Sequence, residues 1–278
     1  MTGLTKHDLV GLDQAIERYD IERYDHEIKR KTGASLSQIA CFAAGISEEK
    51  LVRAADTNKV FIIPVTAGKG IIPGFARSVR SIVEYLGFQA HVTGEQGVSG
   101  FAEAVSGGVN IVFMADDARF VAINFSTGNV IDNAEATARG YVSALYVLCK
   151  GLRDRDVMVI GAGRVGSGAI LHLQELGARV TVFELNSKKL RWWKQSGIKI
   201  EKNLFRALPE FEYIIDACPE PDFIDLEHLH PHAAIAAPGV PLGLTAKAYE
   251  SFRDRVIHDP LQLGVAAMLA MAARERRC

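Results

Sequence analysis

The chain has 278 residues, 48% apolar and 23% charged, enough for one or two domains with proper cores. A formal charge of −1 and a pI of about 6.7 give no electrostatic basis for a nucleic-acid or anionic-membrane partner. No apolar run reaches the roughly 18 residues of a membrane helix, and the opening residues lack the apolar stretch of a secretory signal. Cys41, Cys149, Cys218 and Cys278 stand far apart without CxxC spacing, which predicts neither a zinc knuckle nor a disulfide framework. The expectation is a cytoplasmic α/β enzyme.

From Thr5 to about Thr32 the pattern is charged and helix-like, and it contains a tandem pentapeptide, Ile16–Asp20 followed by Ile21–Asp25. A five-residue step turns a helix by about 500°, so the copies are expected on different faces of a surface helix. A second amphipathic segment runs from Leu36 to Ala43. The pattern then alternates. Val60–Val65 reads as a buried strand, followed by a Gly-rich turn and a helix over Phe75–Leu86 whose Phe75, Val79, Ile82, Val83 and Leu86 share one side. Strands are predicted near Ala90–Thr93, Val109–Met114 and Val121–Phe125, with a helix over Gly100–Ser106.

Ala134–Lys150 has a long helical pattern, and the domain seam is placed along it. Residues 1–133 are expected to form a smaller N-terminal α/β substrate domain. Residues 134–278 are expected to form a C-terminal Rossmann dinucleotide-binding domain, with 134–150 as the connecting helix. There the alternation restarts: strand Val157–Ile160, helix Val165–Leu176, strand Arg179–Glu184, helix Ser187–Gln195, then strands Tyr213–Ala217, Ala233–Ala237 and Val256–His258. Leu261 to about Glu275 reads as a final helix, apolar on one side and basic at its end.

Gly161-Ala162-Gly163-Arg164-Val165-Gly166 fits G-x-G-x-x-G between an apolar strand and a helix. Gly161 permits the tight turn, Gly163 lets the backbone approach a pyrophosphate, and Gly166 allows close helix–strand packing. The helix N-terminus adds free N–H groups and a favourable dipole. Glu184, at the end of the next strand, suits the adenosine ribose hydroxyls and would repel a 2′-phosphate, which favours NAD over NADP; Lys188 and Lys189 stand close by. Cys218-Pro219 and Pro238-Gly239 follow later strands and are expected to flank the nicotinamide side, Cys218 as a packing residue rather than a nucleophile.

In the N-terminal half, Pro64–Ile72 forms a Gly-rich turn without the phosphate-loop spacing, equally readable as a ligand loop or a plain turn. Met114-Ala115-Asp116-Asp117 puts two carboxylates at the end of an apolar strand. Asp116 is assigned to chemistry, either as a base whose pKa is raised by desolvation and its neighbour, or as the partner of a substrate ammonium; Asp117 is assigned to the turn. His228, His230 and His232 alternate, but Pro231 opposes a strand and no acidic cluster supports them, so no metal site is expected.

Together the two halves resemble the pyrrolysine synthase (PylD) family. The matching pieces are Ile63–Ile72, Phe88, Val92, Val98-Ser99-Gly100, Glu103-Ala104-Val105, Met114-Ala115-Asp116-Asp117, Phe120, Asn124, Asn133, Val159–Gly166, Pro238–Pro241 and Pro260-Leu261. The resemblance implies an NAD-dependent dehydrogenase acting on L-lysine whose side-chain nitrogen carries 3-methyl-D-ornithine. Hydride would leave the carbon bearing the terminal amine, ammonia would be released, and the ornithine α-amine would close the pyrroline ring. It further implies that Asp116 orients that amine or relays its proton. Ala67, Gly68 and Ile71 would surround the substrate, Phe75 wall the pocket, Asn133 anchor a polar group, and the segment around Leu4 fold over the site. Ala67-Gly68-Lys69 departs from the more polar loop the family leads one to expect. Two alternatives stay open, another NAD-dependent amine or amino-acid dehydrogenase and a non-catalytic NAD(H)-sensing module, as does a homodimer.

Overall fold

The computed structural model describes residues 15–64 and 73–275, which fall into two compact units. The first holds residues 15–29, 34–140 and 261–275; the second holds Arg30–Gly33 and Tyr141–Pro260.

The first unit begins with helices α1 (Arg18–Thr32), α2 (Leu36–Ala44) and α3 (Glu48–Thr57). Ser35 starts α2 through a reciprocal capping box with Gln38, and Gly45 ends it in the left-handed conformation. The pentapeptide copies have different surroundings. Ile16 and Ile21 are both buried, which differs from the helical-face expectation because Ile16 precedes the first helical turn. Asp25 of the second copy accepts from the Leu36 backbone N–H at 2.5 Å and from the Tyr85 hydroxyl at 3.0 Å. Tyr19 of the first copy is exposed.

The sheet follows: β1 (Lys59–Ile63), α4 (Phe75–Tyr85), β2 (Gln89–Val92), α5 (Gly97–Ser106), β3 (Ile111–Ala115), β4 (Phe120–Asn124), β5 (Asn129–Asp132) and α6 (Asn133–Leu148). The strand order is β2-β1-β3-β4-β5, with β1 parallel to β2 and β3, and β3-β4-β5 an antiparallel meander. Ile63 stands opposite Met114, so the chain leaves β1 beside the end of β3, where Asp116 follows.

The second unit contains β6 (Asp156–Ile160), α7 (Arg164–Glu175), β7 (Arg179–Phe183), α8 (Ser187–Gln195), β8 (Lys199–Glu201), α9 (Leu204–Ala207), β9 (Tyr213–Asp216), β10 (Ala234–Ala236), α10 (Ala246–Phe252) and β11 (Val256–Ile257). All six strands are parallel in the order β11-β10-β9-β6-β7-β8. The order reverses between β6 and β9, which puts a ligand crevice at their carboxyl ends. One face of the sheet is closed by a cluster that includes Met158, Ile160, Ile214, Ile235, Leu244 and Phe252.

The last helix, α11 (Gln262–Ala272), corrects the expectation of a one-sided apolar helix. It packs on α2, α4, β4 and β5 of the first unit. It is also buried on every side, so it has no polar face. Small residues permit this. A Cβ on Gly140 would lie 3.3 Å from Ala267, and one on Gly264 would lie 2.7 Å from the Thr137 hydroxyl. Side chains of the β4–β5 hairpin take up carbonyls at its end: Asn124 donates to Ala272 at 3.0 Å and Asn129 to Arg274 at 2.7 Å. The division between units falls at Gly140/Tyr141 inside α6 and again at Pro260/Leu261.

Candidate functional site

In the second unit the glycine loop joins β6 to α7 at the point of strand-order reversal. Gly161 has φ +88°, and a side chain there would meet the Ala217 carbonyl at 3.0 Å. A Cβ on Gly166 would run into the Gly161 carbonyl oxygen and lie 2.9 Å from its carbon, so α7 sits hard against the loop. Gly163 is different. It caps α7 in extended conformation, and a Cβ there would meet nothing within 4 Å. Open space at the helix N-terminus is what a pyrophosphate requires. Ala162 is buried, Arg164 exposed and Val165 half-buried.

Glu184 follows β7 and reaches back to this loop. Its Oε2 accepts from the Ala162 N–H at 2.9 Å and lies 3.5 Å from Lys189 Nζ; its Oε1 accepts from the Asn186 N–H at 2.8 Å. Burial pushes its pKa up, but the Asn186 and Ala162 N–H groups and Lys189 outweigh that and hold the carboxylate below its ordinary range. An ionised carboxylate therefore stands at the loop edge. These residues fit a dinucleotide: a bent glycine turn, an open helix start and a charged acceptor for ribose hydroxyls.

Cys218 and Pro219 follow β9, and Pro238 and Gly239 follow β10, so the structure brings all four to the same strand edge. The two turns are in contact. A Cβ on Gly239 would strike the Cys218 carbonyl oxygen, and Gly239 N–H donates to the Asp216 carbonyl at 3.0 Å. Burial, with Asp216 nearby, raises the Cys218 pKa, so its sulfur stays a thiol. The structure adds Asp216, whose one signal in the sequence is an acid inside the apolar run Tyr213–Ala217. It is fully buried, and its Oδ2 makes no well-formed hydrogen bond.

In the first unit, Asp116 opens the turn between β3 and β4. Its Oδ1 accepts from the Arg119 and Ala118 N–H groups at 2.7 and 2.8 Å. These bonds lower its pKa, and the residue is exposed. That corrects the raised-pKa expectation: backbone donors, not desolvation, dominate here. Asp116 also builds the turn, the part expected of Asp117. Phe75 packs edge-on against Phe120 at 5.1 Å, at the start of β4, which brings it near this turn. Asn133 opens α6, where its Oδ1 accepts from the Thr137 hydroxyl at 3.2 Å. Leu4, Ala67, Gly68 and Ile71 lie outside the described residues.

Among the described residues no group of three His, Cys, Asp or Glu side chains is placed to hold a metal ion. The histidine run has local uses. His228 Nδ1 accepts from the Asp225 N–H at 3.0 Å and its ring lies tilted against Phe205, while His230 Nδ1 accepts from the His232 N–H at 3.1 Å. No described helix is long and apolar enough to cross a membrane.

The doubly wound sheet, glycine loop and acidic strand end define a dehydrogenase-class oxidoreductase that uses a nicotinamide dinucleotide on a small-molecule substrate. Residues 10–131 match the family model for the N-terminal domain of the pyrrolysine biosynthesis protein PylD, and residues 130–228 match that for the C-terminal domain of alanine dehydrogenase/PNT. Pyrrolysine synthase of Methanosarcina acetivorans is 30% identical over 269 residues, 97% of this chain and 98% of that protein. The chain belongs to the pyrrolysine synthase family. Two solved structures share the fold. Shikimate dehydrogenase of Aquifex aeolicus has a TM-score of 0.51 and 15% identity, covering 75% of this chain and 88% of that one. Quinate dehydrogenase of Corynebacterium glutamicum in complex with NAD has a TM-score of 0.51 and 12% identity, covering 78% and 94%.

Proposed function

We propose that the protein oxidises the terminal amine of L-lysine-Nε-3-methyl-D-ornithine with NAD⁺ in the cytoplasm, releasing ammonia and closing the pyrroline ring of pyrrolysine. One observation carries this: an intact dinucleotide cradle, with Glu184 held ionised at its edge, in a chain that aligns end to end with a pyrrolysine synthase. Gly161–Gly166 would hold the pyrophosphate, and Glu184 the adenosine ribose, where its charge disfavours a 2′-phosphate. Cys218, Pro219, Pro238 and Gly239 would flank the nicotinamide. When bound, the oxidised nicotinamide supplies the acceptor for the hydride that leaves the aminated carbon.

The remaining work falls to side chains of the first unit. Asp116, exposed and kept ionised by its turn, suits pairing with the substrate's terminal ammonium better than acting as a strong base. Both turn bonds fall on Oδ1, and Oδ2 would take the ammonium. Asn133 would anchor a polar group, Phe75 would form an apolar wall, and Leu4, Ala67, Gly68 and Ile71 would surround the substrate. Holding the α-amine beside the oxidised carbon supplies the proximity that ring closure needs.

Replacing Asp116 tests the assignment. Asp116→Asn should keep NAD⁺ binding and lose turnover of the lysyl-methylornithine amide. Full activity in that variant removes Asp116 from the mechanism, and equal oxidation of simple ornithine derivatives by the wild type points to another amine dehydrogenase.

A further inference from the structure

Asp216 is the last residue of β9, between the two turns that follow β9 and β10. Its side chain is wholly buried on the sheet face closed by the apolar cluster around Ile214 and Phe223. Its Oδ1 accepts from the Cys218 N–H at 3.2 Å, which ties the first turn to the strand end. Its backbone carbonyl accepts from Gly239 N–H at 3.0 Å, which ties the second turn to the same residue. Oδ2 is pressed against Gly243, where a Cβ would strike it, and makes no well-formed hydrogen bond. Gly243 is itself fixed, because its carbonyl accepts from the Phe223 and Ile224 N–H groups, both at 2.9 Å. One carboxyl group thus sits at the joint of 217–219, 222–224 and 238–243.

No cation is among the groups that act on it. The residues of β6, β10 and the 238–243 loop beside it, Ile160, Ala234–Ala236 and Pro238–Gly243, carry no titratable side chain. The turn after β9 brings Cys218, with Glu220 and Glu184 beyond it. The 222–224 segment meets Gly243 through Phe223, and His258, one strand further, bonds the Ala237 carbonyl. Burial pushes the Asp216 pKa up to about 7, against the pull of the Cys218 and Gly243 backbone N–H groups.

We propose, on the basis of the dinucleotide reading above, that Asp216 is a positioning residue at the nicotinamide end of the cradle: its neutral carboxyl holds the first turn through Cys218 N–H and packs against Gly243 of the second, and its ionisation loosens this joint and weakens dinucleotide binding. A neutral acid is tolerated in that buried joint. A charge there would lie against apolar side chains with only two backbone N–H groups to offset its lost solvation, and opening the turns relieves that cost.

Titrating the full-length protein with NADH between pH 5.5 and 8.5 tests this. The wild-type Kd should be flat at the acid end and weaken several-fold between pH 6.5 and 8.5. Asp216→Asn keeps the shape and the acceptor for Cys218 N–H but does not ionise in this range, so its Kd should stay tight and flat. Asp216→Ala should bind weakly at every pH. A flat wild type, or an Asn variant that keeps the slope, overturns the proposal while leaving dinucleotide binding intact; failure of the wild type to bind at all overturns both. As a check that needs no variant, the amide resonances of Cys218, Gly239 and Gly243 in the cofactor-free protein should titrate together near neutrality. Amides that do not move across that range contradict the proposal.

Discussion

Replacing Gly163 by alanine separates the loop's role in folding from its role in binding. Gly163 has φ −71°, which any residue adopts, and its Cβ would meet nothing within 4 Å. Folding stability should therefore change by no more than about 0.5 kcal/mol. The added methyl projects into the space a pyrophosphate would enter, and holding the phosphate off by one backbone N–H loses a charge-assisted hydrogen bond, about 1.5–3 kcal/mol. That corresponds to a roughly 10- to 100-fold weaker Kd for NAD⁺. Gly166→Ala is the control. Its Cβ runs into the Gly161 carbonyl, and overpacking of that kind costs about 1–3 kcal/mol, partly offset by the helix preference of alanine. Urea melts and NAD⁺ titrations of both variants give the comparison. A Gly163→Ala protein that binds NAD⁺ normally, or that is destabilised as much as Gly166→Ala, refutes the reasoning.

Three further outcomes follow from the same contacts. The folded-state pKa of Asp216 lies above its ordinary value of 3.8, at about 7, so its contribution is fully present below about pH 4 and is lost as pH rises through 7. Relative to Asp216→Asn, the wild type should lose about 2 kcal/mol between pH 5 and 7 in urea melts, and parallel pH profiles would contradict the burial of its charge. Glu184→Ala should weaken NAD⁺ binding and narrow the preference over NADP⁺, and unchanged affinities for both would remove Glu184 from the ribose. Tyr141→Phe deletes a hydroxyl that lies 2.8 Å from the Asp259 carbonyl and 2.9 Å from its carboxylate and accepts its N–H at 3.0 Å; chemical denaturation should show a loss of about 1–3 kcal/mol, and no loss would mean that water replaces the hydroxyl.

The dinucleotide half was legible in the chain because its signals are local. An apolar strand, a glycine turn and a helix start are contiguous, and Glu184 closes the next strand at the expected distance. What stayed hidden depends on packing between distant segments. The apolar run of α11 reads as one-sided, and its docking on α2, α4 and the β4–β5 hairpin shows it buried all round. Helix α3 buries Leu51 alone, and β8 has three residues, so neither leaves a periodic trace. Strand β5 falls between the expected strand Val121–Phe125 and the expected helix Ala134–Lys150, and gains its identity by pairing with β4. Asp116 is marked by its place after an apolar strand, but the choice between base and ammonium partner turns on two N–H groups that hold it only once the hairpin has closed. Asp216 needed the fold to show that an acid in an apolar strand stays wholly buried, with one oxygen lacking a well-formed hydrogen bond.

The central claim is oxidation of a particular amine by a particular cofactor, and one incubation addresses it. Purified protein, NAD⁺ and L-lysine-Nε-3-methyl-D-ornithine should yield NADH absorbance and ammonia in equal amounts, with NADP⁺ a poorer substitute. Protein that binds NADH tightly yet produces neither from that amide would contradict the account.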